Sequence, residues 1–277
     1  MTVATGTNER ESMSDSFFTT EDGLWFQPTT HTRGPWDEHA CHAGPPTGLL
    51  ARAVEQLLPD QRLSRLTINL LRPVPYAGFS IDARVVRLGR TVSLTEASVV
   101  NSDGKAIVTA AGMHLSEAPP GSFSAFESGL PTFAQSIGTP DQATPGRFPL
   151  ADTLHTKPAF NGDGVEVRYV DGHDSQPGPT EAWMRTVPLL PDEISSPFQR
   201  ICPLADCGNA FGRNAEPQHL TYMNTDLTLM LHRDPEGEWL GTRSVCYWQP
   251  TGIGLADALL FDANGAVGRA MQTLILR

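Results

Sequence analysis

Apolar positions recur at helical spacing once in the first half of the chain and at strand spacing several times. Leu49, Leu50, Ala53, Val54, Leu57 and Leu58 lie on one face of a repeat of about 3.6 residues. Gly44-Pro45-Pro46 closes an irregular stretch before them, Thr47 is read as the helix cap, and Pro59 stops the helix. Four strand-like runs follow, Leu63–Arg72, Phe79–Leu88, Thr91–Asn101 and Lys105–Leu115, with an earlier one at Leu24–Gln27. Asp103-Gly104 is a hairpin signal between the last two. One helix with a mostly antiparallel meander predicts an α+β unit.

The pattern then repeats. At a constant offset of 161, residues 66–116 lie over 227–277 without a gap, with eight identities in 51 positions. Chance supplies roughly three, but the placement tells more, because Asp103-Gly104 falls on Asn264-Gly265. This is read as a duplicated α+β unit. It predicts a second helix near Pro197–Phe211, with Ser196 as cap, Pro197 in the first turn and a kink or late start at Pro203. Between the copies, Glu117–Pro158 carries seven prolines among Ser, Gly and Thr and reads as a linker. The expected organisation is a flexible N-terminus over 1–16, a first unit over 17–116, the linker over 117–158 and a second unit over 159–277.

Composition changes this picture only by exclusion. The 277 residues include 20 Lys+Arg and 31 Asp+Glu, a net charge of −11, which argues against binding to a nucleic-acid backbone. With 39% apolar residues the chain is no charge-rich disordered protein. No apolar stretch approaches the roughly 18 residues of a membrane span, and the polar start lacks a secretory h-region, so a cytoplasmic protein is expected. Cys41, Cys202, Cys207 and Cys246 show no C-x-x-C spacing and read as buried free thiols. His31, His39 and His42 lie near Cys41 but lack a matching carboxylate pattern and read as loop histidines rather than metal ligands. The five tryptophans read as core or interface residues. No G-x-S-x-G elbow, phosphate loop or H-E-x-x-H helix is present.

Three positions in the second unit resist a purely structural reading. Asp206 ends the proposed helix just before Gly208 and Asn209, which look like its cap. There the carboxylate meets the negative end of the helix dipole, and partial burial would raise its pKa into the range of a general base. Gln272 shares one strand face with Ala270, Leu274 and Leu276, and a buried amide needs partners. Its counterpart in the first unit is Ala111, so the copies differ here. Asn224-Thr225-Asp226 opens a strand in which period two places Thr225 with Leu227, Leu229 and Leu231, facing the core unless a bulge intervenes.

These segments, together with Gly44-Pro45-Pro46-Thr47-Gly48-Leu49-Leu50, Leu70-Leu71-Arg72-Pro73-Val74-Pro75, Leu231-His232-Arg233 and Met271-Gln272, resemble the bacterial type II acyl-CoA thioesterases and their actinobacterial relatives. The likeness covers residues 20–116 and 160–277. It implies a double hotdog fold, two helices each wrapped by antiparallel strands that join in one continuous sheet. It also implies hydrolysis of acyl-CoA by an Asp, a Thr or Ser, and a Gln around one water, without metal or cofactor. Carried over, the Asp is Asp206 and the Gln is Gln272. Counting back from His232-Arg233, the hydroxyl position falls on Asn224, a departure from the family pattern, and Thr225 is the neighbouring substitute. Arg72, Arg213 and Arg233 are the candidates, by position alone, for the CoA phosphates, which the net charge of −11 otherwise opposes. A homo-oligomer is expected, because an open sheet leaves edges and a broad face. Two alternatives stay open: an acyl-CoA hydratase or dehydratase on the same fold, whose usual G-D-x-N-P-x-H segment is not found, and an acyl-thioester-binding protein without turnover.

Overall fold

Alternating burial along the strands produces one long antiparallel sheet with the helices against one face. The computed structural model describes residues 16–122, 136–149 and 157–277; residues 1–15 of the expected flexible N-terminus and parts of the proline-rich stretch lie outside them, while Ser16 is buried. The first half contributes β1 (Phe18–Thr19), β2 (Trp25–Pro28), α1 (Gly44–Leu57), β3 (Arg62–Leu70), β4 (Phe79–Arg87), β5 (Val92–Val100) and β6 (Ala106–Leu115). The second contributes β7 (Thr144–Gly146), β8 (Val165–Tyr169), β9 (Thr180–Thr186), α2 (Pro197–Ala205), α3 (Gly208–Phe211), β10 (Tyr222–Asn224), β11 (Asp226–Leu231), β12 (Leu240–Trp248), β13 (Ile253–Asp262) and β14 (Gly265–Leu276).

The sheet order is β1-β2-β4-β5-β6-β3-β11-β14-β13-β12-β9-β8-β7, with β10 also paired to β14. Shifting by 161 residues carries β12 onto β4 and brings β11, β13 and β14 onto β3, β5 and β6. The halves join through antiparallel β3 and β11, where Thr67 faces Thr228, its own counterpart at the same offset. A pseudo-twofold axis therefore passes between these two threonines. This is the α+β architecture the duplication predicts.

The helices differ from expectation at their ends. α1 starts at Gly44 rather than at Thr47, because Pro45 and Pro46 occupy a first turn whose N–H groups need no partner. Thr47 is no cap; its hydroxyl donates back to Ala43 O at 2.9 Å. Ser196 does cap α2, its Oγ accepting from Gln199 N–H at 3.1 Å. Pro203 lies inside α2, which ends two residues later, and Gly208 and Asn209 open the short α3 instead of capping α2. α1 packs on α2, and a single buried core runs from Leu49, Leu50 and Val54 through Ile201 and Leu204 to Leu227, Leu229 and Leu274.

The described part of the proline-rich stretch does more than span a distance. Thr144–Gly146 pairs with β8, Ile137 and Ala143 pack against Trp183 and Phe261, and Phe148 joins the main core. Among the described residues no helix is long and apolar enough to cross a membrane.

Candidate active site

Asp206 takes its place from the way α2 ends. Its N–H still reaches Cys202 O at 3.2 Å, while Cys207 N–H tightens onto Leu204 O at 2.9 Å, and the chain breaks before α3 begins. The side chain is 3% exposed. Burial pushes its pKa from 3.8 up to about 7, held back by hydrogen bonds from Asn224, Gln272 and the Gly44 N–H. A carboxylate poised near neutrality can take a proton in one step and give it up in the next.

Gln272 reaches Asp206 from β14. Its Nε2 donates to Asp206 O at 3.0 Å and to Oδ1 at 3.2 Å, and its Oε1 accepts from Asn209 N–H at 3.0 Å. The buried amide is thus satisfied while bracing the end of α2 against the start of α3.

Asn224 arrives by a bulge. β10 pairs Asn224 with Leu274, whereas β11 pairs Thr228 with Met271, so one extra residue is taken up between them. Thr225 N–H donates to Thr273 O at 3.0 Å, and Asp226 fills the ladder gap by accepting from Thr273 N–H at 2.6 Å and Thr273 Oγ at 2.9 Å. The extra residue reverses the alternation. Tyr222 and Asn224 turn inward above it, and Leu227, Leu229 and Leu231 below it. Asn224 Nδ2 donates to Asp206 Oδ1 at 2.8 Å. Thr225 lines the same cavity, but its hydroxyl points to Thr273 O at 3.4 Å, so period two misplaces it.

The structure also brings His42 to the site. Its Nδ1 accepts from Gly44 N–H at 3.1 Å and lies 3.2 Å from Asp206 Oδ2, and its ring stacks on Phe160 at 4.1 Å. Burial lowers its pKa to about 3. The sequence gives no signal for this contact, because the two residues come from different halves and meet only when α1 packs on α2. Among the described residues no group of three His, Cys, Asp or Glu side chains forms a metal site.

Asp206, Asn224 and His42 border a cavity of about 350 Å³ whose walls include Trp36, Cys41 and Val74. Of the three arginines, only exposed Arg72 lines it. Arg213 is buried and bonded to Ser175 O, Ala210 O and Glu216, a structural clamp rather than a surface cation. Arg233 grips Asp262 and Gly265 O at the β13–β14 turn. Burial would raise the Asp262 pKa, but Arg233 and the N–H groups of Glu236 and Asn264 hold it below the usual value.

Comparison with known proteins adds independent findings. Residues 138–276 match the model of the acyl-CoA thioesterase C-terminal domain, and residues 32–115 match that of the N-terminal domain. No curated protein matches the sequence. Among solved structures, a hot dog fold protein of unknown function from Alicyclobacillus acidocaldarius is similar, with a TM-score of 0.68, 16% identity, and 93% of this chain and 95% of that one covered. An acyl-CoA thioesterase II from Mycobacterium marinum has a TM-score of 0.62 and 17% identity, covering 94% of each chain. A tesB protein from Mycobacterium avium subs paratuberculosis has a TM-score of 0.63 and 12% identity over 94% of this chain and 95% of that one. At these identities the likeness shows the fold, a double hotdog.

Proposed function

We propose that this chain, which belongs to the acyl-CoA thioesterase family, hydrolyses acyl-CoA to the free acid and CoA with a water activated by Asp206. The observation that carries the reading is the convergence of Asn224 and Gln272 on one oxygen of a buried carboxylate whose pKa is about 7. Asn224 takes the hydroxyl position without offering a hydroxyl. Its Nδ2 orients Asp206, and its carbonyl oxygen is the acceptor for a water beside the carboxylate. Asp206 removes a proton from that water as its oxygen attacks the thioester carbonyl, and the proton passes to the departing thiolate. The first-turn end of α1, which meets the carboxylate at Gly44 N–H, supplies the positive field for the oxyanion. In this reading Arg72, exposed and lining the cavity, meets a CoA phosphate. Cytoplasmic location and assembly with further copies of the chain belong to this reading and rest on sequence alone.

The His42–Asp206 contact favours a second reading, hydratase or dehydratase chemistry, which uses an Asp and a His. That chemistry needs the two groups at different carbons of the substrate, however, and here they lie side by side, His42 Nδ1 being 3.2 Å from Asp206 Oδ2. Release of free CoA from a panel of acyl-CoAs, with an enoyl-CoA included, tests all three readings. Hydrolysis is expected, and Asp206→Asn should reduce kcat by about 100-fold or more. Water addition to the enoyl-CoA would support the hydratase. Saturable binding without any product would leave a binding protein.

A further inference from the structure

The cavity beside Asp206 adjoins a second one at Arg72. Arg72 and Pro73 wall both, and the second, of about 330 Å³, is bounded beyond them by Trp25, Gly78, Asn101, Ser102 and Ile107. Small-molecule sites begin at roughly this size. The sheet sets the distance between the two. Leu70 N–H donates to Thr225 O at 2.9 Å, so β3 ends beside the bulge that carries Asn224, and Arg72 N–H donates across to Ile107 O at 3.1 Å. β6 lies next to β3, and β5 next to β6. From the strand of Asn224 to Asn101, just past the end of β5, is therefore three strand spacings, about 14 Å. A pantetheine arm runs about twelve bonds from thioester sulfur to phosphate, and three bonds of extended chain cover ~3.5 Å, so its reach is also about 14 Å.

We propose that this second cavity is the site for the 3′-phosphorylated ADP end of CoA, with the adenine against the Trp25 indole and a phosphate beside Arg72. This deepens the reading above and rests on acyl-CoA being the ligand. A carrier protein presents the same arm without an adenine, so the cavity makes the nucleotide the part by which CoA is recognised.

The wall groups suit that ligand. Trp25 is 37% exposed, yet its position is fixed. Its N–H donates to the Asp22 carboxylate at 3.1 Å, and its indole lies so close to the Gly78 backbone that a Cβ there would stand 2.5 Å from Nε1. A flat aromatic surface held in advance favours stacking of a base. The Arg72 guanidinium makes no ion pair or hydrogen bond among the described residues, whereas Arg52, Arg62 and Arg84 are taken by Glu193, Asp234 and Glu96. An exposed, unpaired guanidinium can grip a phosphate that the net charge of −11 would otherwise repel. Asn101 Oδ1 accepts from the N–H groups of Asp103 and Lys105 at 3.1 and 2.9 Å, which leaves its Nδ2 as a donor, and Ser102 adds a hydroxyl. The charges of Asp103 and Lys105 on this hairpin offset each other, so Arg72 is the cation that counts.

Selectivity between two substrates tests the site. The acyl-CoA hydrolysed fastest is compared with the S-acyl-pantetheine of the same acyl group, which lacks the nucleotide. Trp25→Ala should lower the ratio of their kcat/KM values about tenfold. Equal loss toward both substrates, or an unmoved ratio, would overturn the proposal. Arg72→Gln, at an exposed side chain, should lower the ratio too, and its result decides should Trp25→Ala lack a cooperative melt. Calorimetry with adenosine 3′,5′-bisphosphate reads the site without turnover. Binding to wild type about tenfold tighter than to Trp25→Ala is expected, and no binding, or equal affinity, refutes the assignment. If that difference stands while no acyl-CoA is hydrolysed, the hydrolytic reading falls and the nucleotide site remains.

Discussion

Burial and the carbonyl end of α2 both oppose the charge on Asp206, so this residue trades stability for reactivity. Its folded pKa of about 7 stands above the ordinary 3.8. The folded state therefore holds a proton that the unfolded state has released, and stability falls as pH rises from about 4 to about 7. Above that window the penalty is complete, at most about 4 kcal/mol for a shift of this size. Asp206→Asn removes the titration. The variant is expected to melt higher than wild type at pH 8 and to lose that advantage below pH 4, as thermal denaturation across pH would show. Equal gain at both pH values would mean that the carboxylate is not destabilising. Asp206 and Gln272 stand out in the sequence because each is a polar group where its local pattern calls for an apolar or oppositely charged one. His42 does not, since nothing within a few residues of it hints at a carboxylate in the other half of the chain.

At the scale of elements, the bulge between β10 and β11 decides which side chain meets the base. Asn224→Thr should keep substantial turnover by restoring a hydroxyl, whereas Asn224→Val should lower kcat by about 100-fold. Thr225→Val should leave kcat within about threefold, because that hydroxyl bonds only Thr273 O at 3.4 Å. A Thr225→Val enzyme as impaired as Asn224→Val would transfer the role to Thr225. Such a bulge is hard to read in a sequence. One inserted residue changes neither composition nor hydrophobicity, and its only trace is the conflict between the count from His232-Arg233 and the alternation of the leucines. The strands were legible because β5 alternates over its nine residues and β6 over its last eight. The start of α1 was not, since Pro45 and Pro46 signal an interruption everywhere except in a first turn.

At the scale of the whole molecule, a duplicated sequence suggests two independent units, while the packing makes them one. β3 and β11 share a ladder centred on Thr67 and Thr228, and α1 lies against α2. Ser196 and Gln199 of the second half both donate to Glu55 in the first, at 2.8 and 2.7 Å. The site is divided in the same way, with His42 and Gly44 supplied by one half and Asp206, Asn224 and Gln272 by the other. Splitting the chain would uncover the edges of β3 and β11 and the buried faces of both helices. Calorimetry of the intact chain is therefore expected to give one transition, with equal calorimetric and van't Hoff enthalpies. Two resolved transitions would show that the seam is weaker than the units it joins. A single one would fit a proposed site carried by one copy: once the halves fold together, the first can turn its helix start toward Asp206 in the second and let Ala111 stand where the other copy has Gln272.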